Sequence, residues 1–232
     1  MNNRRKLIET ISKSPYPSYT LPDGYVACDY VTNGKTTQNV GQKYFDTGFL
    51  PSYNYTYKIK YKLLKNPTNA SYGWVDIWGI GNVTGGTNYN TRLNANGSTT
   101  LGQRMGSGTI KSISYSDYNL TWSDTIDYSY DSPNNKIVIN GNEIITNTPS
   151  GRLASKTMLV GTAKNGGSSG NSDQVIALTI PNLALYGWEI WNNKTLIQWF
   201  VPCYKDGVGY VYDVIADEIK PGVNGSWGYG FD

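Results

Sequence analysis

YTYKIKYK, residues 55–62, decides the fold because polar and apolar side chains alternate at every position. The apolar set on one side of this alternation is Tyr55, Tyr57, Ile59 and Tyr61, and the polar set on the other is Thr56, Lys58, Lys60 and Lys62. Because successive residues of a β-strand point to opposite faces of a sheet, this period of two predicts a half-buried strand. The lysines are expected to form a row that faces water.

Strand patterns recur along the rest of the chain at roughly ten-residue spacing. WVDIWGI, residues 74–80, predicts a second strand, and KIVINGNEIIT, residues 136–146, predicts a hairpin. Its Asn140-Gly141 pair tolerates the positive φ angles of a type I′ turn. Pro202 is expected to mark a strand end or a sheet edge. With no long helical pattern, residues 21–232 are predicted to fold as one all-β domain, a two-sheet antiparallel jelly-roll sandwich.

Composition excludes several classes of protein. The 232 residues contain no histidine, which removes Ser-His-Asp and Cys-His catalysis and the commonest zinc ligand. The formal net charge of +3 is too small to indicate nucleic-acid binding, and no apolar run approaches the ~20 residues of a membrane helix. The N-terminus lacks the apolar core of a signal peptide. Cys28 and Cys203 are expected to be free thiols, although pairing stays open.

Residues 1–20 differ from the rest of the chain. A basic cluster is followed by a few aliphatic residues and then by the sequence SPYPS, residues 14–18. A short helix and an extended proline linker fit this composition. The segment cannot bury much surface by itself, so it is predicted to be either a loose tail or an arm that docks on another molecule.

Two blocks of sequence carry a family resemblance. LPDGYVACDYV (residues 21–31) with QKYFDTGFLP (residues 42–51), and YGWEIW (residues 186–191) with DGVGYVYD (residues 206–213), resemble concanavalin A-like or laminin-G-like lectin jelly rolls of phages of gut bacteria. The resemblance spans residues 21 to about 215. Its middle third, residues 66–132, matches only as β-rich sequence, and Phe45 stands where the family has an aliphatic residue.

The resemblance implies a non-enzymatic protein on the surface of a phage virion, made in the host cytoplasm, as a head fibre, decoration protein or tail-tip component. Its head would adhere to glycans of the host surface or of mucus. The N-terminal arm would attach to capsid or tail proteins through Arg4, Arg5, Lys6, Leu7, Ile8 and Ile11. Whether the head forms a homotrimer stays open. A structural calcium ion also stays open, because no ligand spacing singles out a metal site. No cofactor and no metal ligand are predicted.

Several carboxylates of the chain are candidates for catalytic groups. The resemblance also suggests a structural role for Asp46 and Asp213, which are expected to accept backbone N–H bonds at strand ends and to fix turns, with catalysis as the alternative for Asp46. A glycoside hydrolase needs two carboxylates facing each other across the bond, and the sequence has no three-acid strand motif. Glu189 lies between two tryptophans that fall on opposite faces of its strand. A glycan-active hydrolase or lyase on the same fold is therefore the alternative function.

Sugar binding predicts aromatic faces beside hydrogen-bonding side chains, because pyranose C–H patches stack on aromatic rings. The densest such set is Trp74, Asp76, Trp78, Asn82, Tyr89, Asn90 and Arg92. Period two would place Trp74, Asp76 and Trp78 on one strand face. The alternative for both tryptophans is a place in the core, and Trp227 is a further aromatic candidate for a loop or a subunit contact.

Overall fold

A computed structural model gives the fold and describes residues 16–34, 43–66, 74–83, 87–94, 100–106, 111–146, 157–161, 164–165 and 182–232. The strands are β1 (Val26–Ala27), β2 (Tyr30–Thr32), β3 (Phe45–Asp46), β4 (Thr56–Leu63), β5 (Trp74–Val83), β6 (Thr87–Asn94), β7 (Thr100–Gly106), β8 (Lys111–Ser114), β9 (Ile126–Asp131), β10 (Lys136–Ile139), β11 (Asn142–Ile145), β12 (Leu159–Val160), β13 (Lys164–Asn165), β14 (Leu183–Asn192), β15 (Thr195–Lys205), β16 (Val208–Asp213), β17 (Glu218–Pro221) and β18 (Gly228–Gly230). One 3₁₀ helix, Tyr115–Tyr118, is described.

The strands form two sheets. The large sheet runs in the order β11-β10-β9-β4-β14-β15-β16-β17, with β1, β2 and β18 paired alongside β14 and β15. The small sheet runs β3-β12-β5-β6-β7-β8, with β13 beside β5. Among the described strands only β13 pairs in parallel. The predicted antiparallel two-sheet sandwich is therefore confirmed.

The core lies between the two sheets and is rich in aromatic rings. Tyr57, Ile59 and Tyr61 of β4 are buried, while Lys58 and Lys60 of the same strand lie on the outer face, which confirms the predicted alternation. Trp227 also belongs to the core: its ring packs 4.3 Å from that of Phe45 and it is only 1% exposed. A role for Trp227 in a sugar site or a subunit contact is thus wrong.

A polar contact ties the two sheets together inside this core. Tyr128 of β9 and Thr91 of β6 both donate a hydrogen bond to the side-chain oxygen of Gln103 on β7. All three side chains are buried. A buried polar group is tolerated only when it has partners, so the three residues depend on one another across the sandwich.

Pro202 does not end a strand. It lies inside β15 and is paired with Val211 of β16. Its carbonyl oxygen accepts a hydrogen bond from the backbone N–H of Cys28. The nitrogen of a strand residue points to the same side as its carbonyl, so the missing N–H faces the two-residue strand β1 and leaves the ladder to β16 intact.

The thiols of Cys28 and Cys203 are free and lie on opposite faces of the large sheet. Ala27, and not Cys28, is the register partner of Cys203. Cys28 packs toward the core, whereas Cys203 belongs to a small apolar cluster on the outer face. Burial raises the pKa of Cys203 to about 11. The prediction of free thiols agrees with this geometry.

The described end of the N-terminal segment packs against the domain. The rings of Tyr16 and Tyr19 lie 5.0 Å and 5.2 Å from that of Trp199. Residues 1–15, and with them Arg4, Arg5, Lys6, Leu7, Ile8 and Ile11, lie outside the described residues. In the described part of the chain, no helix has the length and apolar character needed to span a bilayer.

Candidate functional site: a groove on the outer face of the large sheet

A groove of about 380 Å³ opens on the outer face of the large sheet, where β9, β4, β14 and β15 lie side by side. Its floor is formed at Gly187, the register partner of Lys60. Because Lys60 points outward, any side chain at position 187 would point outward too and fill the groove. The sequence folds this way locally because Gly187 follows a β-bulge at Tyr186, which interrupts the pairing of β14 with β4.

Charged side chains of both signs line the groove. Lys58 and Lys60 of β4 meet Asp127 of β9 and Glu189 of β14. Lys58 Nζ lies 3.4 Å from Glu189 Oε2, and the carboxylate side chain is 18% exposed. Asp127 is the cross-strand partner of Lys60. The four formal charges cancel, so the groove presents donors and acceptors without a strong net field.

Two side chains donate hydrogen bonds to Glu189. The Tyr16 hydroxyl donates to both carboxylate oxygens, at 3.1 Å to Oε1 and 3.2 Å to Oε2. Trp191 Nε1 donates to Oε2 at 2.7 Å. Burial, together with the Glu189 charge, raises the pKa of Tyr16 to about 12. Each Glu189 oxygen therefore already accepts a hydrogen bond.

Aromatic rings form the walls. Tyr16 contacts Trp191 edge-on at 5.8 Å and Trp199 at 5.0 Å. Lys58 Nζ lies 4.7 Å from the centre of the Trp191 ring. At the other end, the Lys60 ammonium lies 5.6 Å from the ring of Tyr186. Rings of this kind, beside hydroxyl, carboxylate and ammonium groups, can hold a hydroxylated ligand by stacking and hydrogen bonding.

The sugar-binding set predicted from the sequence lies on the small sheet. Trp78 is fully buried and stacks on Tyr57 at 5.2 Å, with Trp188 5.3 Å away. A sugar cannot reach this indole, so the core alternative for Trp78 is correct and the binding role is wrong. Asp76 is 5% exposed.

The sequence also predicts that Trp74, Asp76 and Trp78 share one strand face, and this prediction is wrong for Trp78. Asp76 pairs with position 92 and Trp78 pairs with position 91, so a bulge falls between them. Since neighbouring positions of β6 belong to opposite faces, Asp76 and Trp78 do as well. Beyond the backbone pairing in β5 and β6, the side chains of the remaining predicted residues lie outside the described part of the structure: Trp74, Asn82, Tyr89, Asn90 and Arg92.

Two sequence patterns contain residues of the groove, but neither pattern predicts a binding site. The alternation in β4 predicts that the lysine row faces solvent, and the sequence around Glu189 predicts an acid between two tryptophans on opposite faces. That last point holds, because Trp188 lies in the core and Trp191 on the outer face. The signal that would have joined them is the register pair Lys58–Glu189, which needs β4 and β14 to be placed side by side.

No cluster of three Cys, Asp or Glu side chains that could hold a metal ion occurs among the residues that the structure describes.

Asp46 and Asp213 lie apart from the groove lining and accept backbone N–H bonds. Asp46 Oδ1 accepts from the N–H of Gly48 at 3.0 Å, and Asp213 Oδ1 accepts from that of Ile215 at 3.2 Å. Their predicted turn-fixing role is supported.

The two antiparallel sheets define the class of fold as a jelly-roll sandwich. It is similar to a native heptameric SAP-like pentraxin from Limulus polyphemus, with a TM-score of 0.52 and 8% identity over 87% of this chain and 94% of that one. It is also similar to the CBM40 of Ruminococcus gnavus IT-sialidase bound to alpha2,3 sialyllactose, with a TM-score of 0.43 and 12% identity over 68% of this chain and 90% of that one. No protein-family model matches the chain. No curated protein sequence matches it either.

Proposed function

We propose that this protein is a non-enzymatic glycan-binding protein that holds saccharides in the outer groove of the large sheet. The observation that carries the proposal is the joint presence of Trp199, Tyr186, Lys60 and Asp127 around the open floor at Gly187. Aromatic rings offer stacking surfaces to sugar C–H patches, and the charged groups offer partners to hydroxyls. The balanced charges favour neutral, hydroxyl-rich sugars over strongly charged ones.

The groove is tested by filling it. Gly187→Val places a branched side chain on the floor, and an added Cβ meets only the carbonyl oxygen of Phe200, at 3.4 Å. On a glycan array the wild type is expected to bind a defined subset of glycans, and Gly187→Val is expected to lose that binding while keeping the thermal stability. Ser112→Val, at an exposed position of the small sheet, is the matched control. Equal binding by both variants would place the sugar site elsewhere.

The enzyme alternative rests on one observation, namely that Asp127 and Glu189 line the same groove. A retaining or inverting glycosidase needs one carboxylate free to attack or activate water and another that delivers a proton. Glu189 Oε2 accepts a hydrogen bond from Trp191 Nε1 and lies 3.4 Å from Lys58 Nζ, and neither contact involves Tyr16. This arrangement favours binding over hydrolysis. Reducing-sugar release from the bound glycans at an enzyme-like rate would reverse that preference.

We also propose that the protein sits on the surface of a phage virion, as a head fibre, decoration protein or tail-tip component that adheres to host-surface or mucus glycans. The sequence resemblance supports this location, and the basic and aliphatic residues Arg4, Arg5, Lys6, Leu7, Ile8 and Ile11 suit an arm that docks on capsid or tail proteins. The same resemblance is compatible with a homotrimeric head.

The location is tested on purified particles. An antibody raised against the domain is expected to label them, and deletion of residues 2–14 is expected to remove the protein from the particles while the head stays folded. The deletion stops before Tyr16 because that residue binds Glu189. Particles that keep the truncated protein would contradict the anchoring role of the arm.

A further inference from the structure

The segment Tyr16–Thr20, called the strap below, crosses the outer face of the large sheet at one end of the groove. Its first residue places a phenol ring against the indoles of Trp191 and Trp199, at 5.8 Å and 5.0 Å. The hydroxyl of the same ring donates to both oxygens of Glu189. One side chain of the protein thus contacts two indole rings and one carboxylate at the same time.

These contacts have the chemistry of a saccharide complex. A bound pyranose would place a C–H face on an indole and donate a hydroxyl proton to a carboxylate. Tyr16 offers the same two features in one planar ring. The aromatic and acidic groups beneath it therefore form a surface that fits a hydroxylated six-membered ring, and Tyr16 covers this surface.

The groups beneath Tyr16 do not depend on it for their positions. Trp191 Nε1 donates directly to Glu189. Lys58 Nζ lies 3.4 Å from the same carboxylate and 4.7 Å from the centre of the Trp191 ring. The acid, the indole and the ammonium are each carried by β4 or β14, in the middle of the large sheet. They would stay in place if Tyr16 moved away.

The strap itself belongs to no strand. Residues 16–22 precede β1 and take no part in the pairing of the sheet. Moving Tyr16 off the surface therefore breaks side-chain contacts but no sheet ladder. The ring of Tyr19, in the same strap, contacts the rings of Trp199 and Tyr212.

We propose that Tyr16 is an internal pseudo-ligand that covers a second saccharide subsite, formed by Trp191, Trp199 and Glu189 and continuous with the groove. A glycan long enough to extend from the groove displaces Tyr16 and occupies this subsite. The inference rests on the proposed function and adds a concealed subsite and its internal competitor. Because the cover reduces the fraction of molecules that are open, the apparent affinity of the wild type is lower than that of the uncovered site.

The test compares three variants with the wild type by titration calorimetry, using as probes the methyl glycosides of glucose, galactose, mannose and N-acetylglucosamine and the matching oligosaccharides. Tyr16→Ala removes the cover and is expected to bind about tenfold more tightly, the gain for a site that is open in a tenth of the wild-type molecules. Tyr16→Phe keeps the ring but loses the hydroxyl, so a smaller gain is expected. Tyr25→Ala is the control, because Tyr25 packs on Tyr210 away from the groove and is expected to bind like the wild type.

A second probe, 4-methylphenol, tests the subsite without any sugar. It replaces the side chain removed in Tyr16→Ala and is expected to raise the Tm of that variant but not of the wild type. Toluene, which lacks the hydroxyl, is expected to raise it less because it cannot donate to Glu189. If Tyr16→Ala does not fold, Tyr16→Phe carries the sugar test alone.

The outcomes separate the two proposals. If the wild type binds glycans in the groove but Tyr16→Ala binds them equally well or more weakly, the pseudo-ligand is wrong while the proposed function stands. If neither the wild type nor Tyr16→Ala binds any sugar, both are wrong, even if 4-methylphenol occupies the vacated surface. Tighter sugar binding by Tyr16→Ala, with Tyr25→Ala unchanged, supports the inference.

Discussion

Gln198 links Asp213, the acid of one sequence motif, to the residue that follows Asp46, the acid of the other. Gln198 Nε2 donates to Asp213 Oδ2 at 3.0 Å and to the carbonyl oxygen of Thr47, the neighbour of Asp46, at 2.8 Å. Asp213 Oδ1 also accepts from backbone N–H groups of the turn that follows β16. The motif residues therefore hold the scaffold together where segments distant in sequence meet.

Replacing Asp213 tests this role. Asp213→Ala removes one of the two acceptors of the Gln198 amide and the side-chain acceptor of the turn N–H groups in a buried site, so we expect the free energy of unfolding to fall by roughly 2–4 kcal/mol. Urea unfolding followed by tryptophan fluorescence measures the change. Glu218→Ala, which breaks only the exposed ion pair with Lys220, is the control and is expected to cost less than about 1 kcal/mol. A similar small loss in Asp213→Ala would mean that the network is not structural.

The turn-fixing role of the two aspartates could be predicted because an acid beside a small residue at a strand end is a local signal. The part played by Gln198 could not. It depends on the meeting of β15 with the loop after β3, which are separated by about 150 positions. The same limit applies to Lys58 and Glu189, whose pairing follows from the neighbourhood of β4 and β14 and not from either strand alone.

At the scale of elements, alternation predicted β4 correctly and failed in β5. The eight residues of β4 follow period two from Thr56 to Leu63 without interruption. In β5 a bulge after Asp76 inserts one residue, which reverses the faces expected from Trp78 to Ile80, and the register shifts again before Val83. Nothing in WVDIWGI marks the bulge, because Trp, Val and Ile suit either face of a strand that is buried on both sides.

The β10–β11 hairpin follows its sequence signal closely. Asn140 and Gly141 have φ angles of 47° and 84°, as the predicted type I′ turn requires. Gly141→Val should lower the free energy of unfolding by about 1–2 kcal/mol, the cost of a residue with a Cβ in the left-handed region. Crowding does not add to the effect, since an added Cβ meets nothing within 4 Å.

The control for the Gly141→Val prediction lies in β11, the second strand of the hairpin. Glu143→Ala removes an exposed ion pair with Lys136 and is expected to change the free energy of unfolding by no more than about 1 kcal/mol. Urea denaturation of both variants gives the comparison. If Gly141→Val unfolds at the same urea concentration as the wild type, the turn does not need a positive φ at this position.

At the scale of the whole molecule, the sandwich was predictable and the groove was not. Recurring period-two segments with turn residues between them fix two half-buried sheets. The groove needs four strands to be neighbours in the order β9-β4-β14-β15, and two of its walls come from Tyr16 and Tyr186, outside the regular pattern. Adjacency of this kind is a property of topology, which residue periodicity leaves open.

Aromatic packing across the whole core also sets a pH limit on stability. Tyr61, Tyr115 and Tyr128 are buried, and burial is the main cause that raises the pKa of each above the ordinary value of 10.0. As the pH rises past about 10, these phenols lose protons in the unfolded chain but keep them in the folded one. The stability they contribute is therefore complete below pH 10 and is lost above it.

We expect the free energy of unfolding to fall steeply above pH 10, with a slope of about 1.4 kcal/mol per pH unit for each of these tyrosines. Urea unfolding at a series of pH values gives the slope, and the ultraviolet absorbance of tyrosinate reports ionisation in the folded protein. Tyr128→Phe removes one of the three groups, so its slope should be smaller by one such increment even though the variant is less stable at neutral pH through its lost bond to Gln103. Ionisation of every tyrosine near pH 10 while the protein stays folded would contradict the burial of these rings between the two sheets.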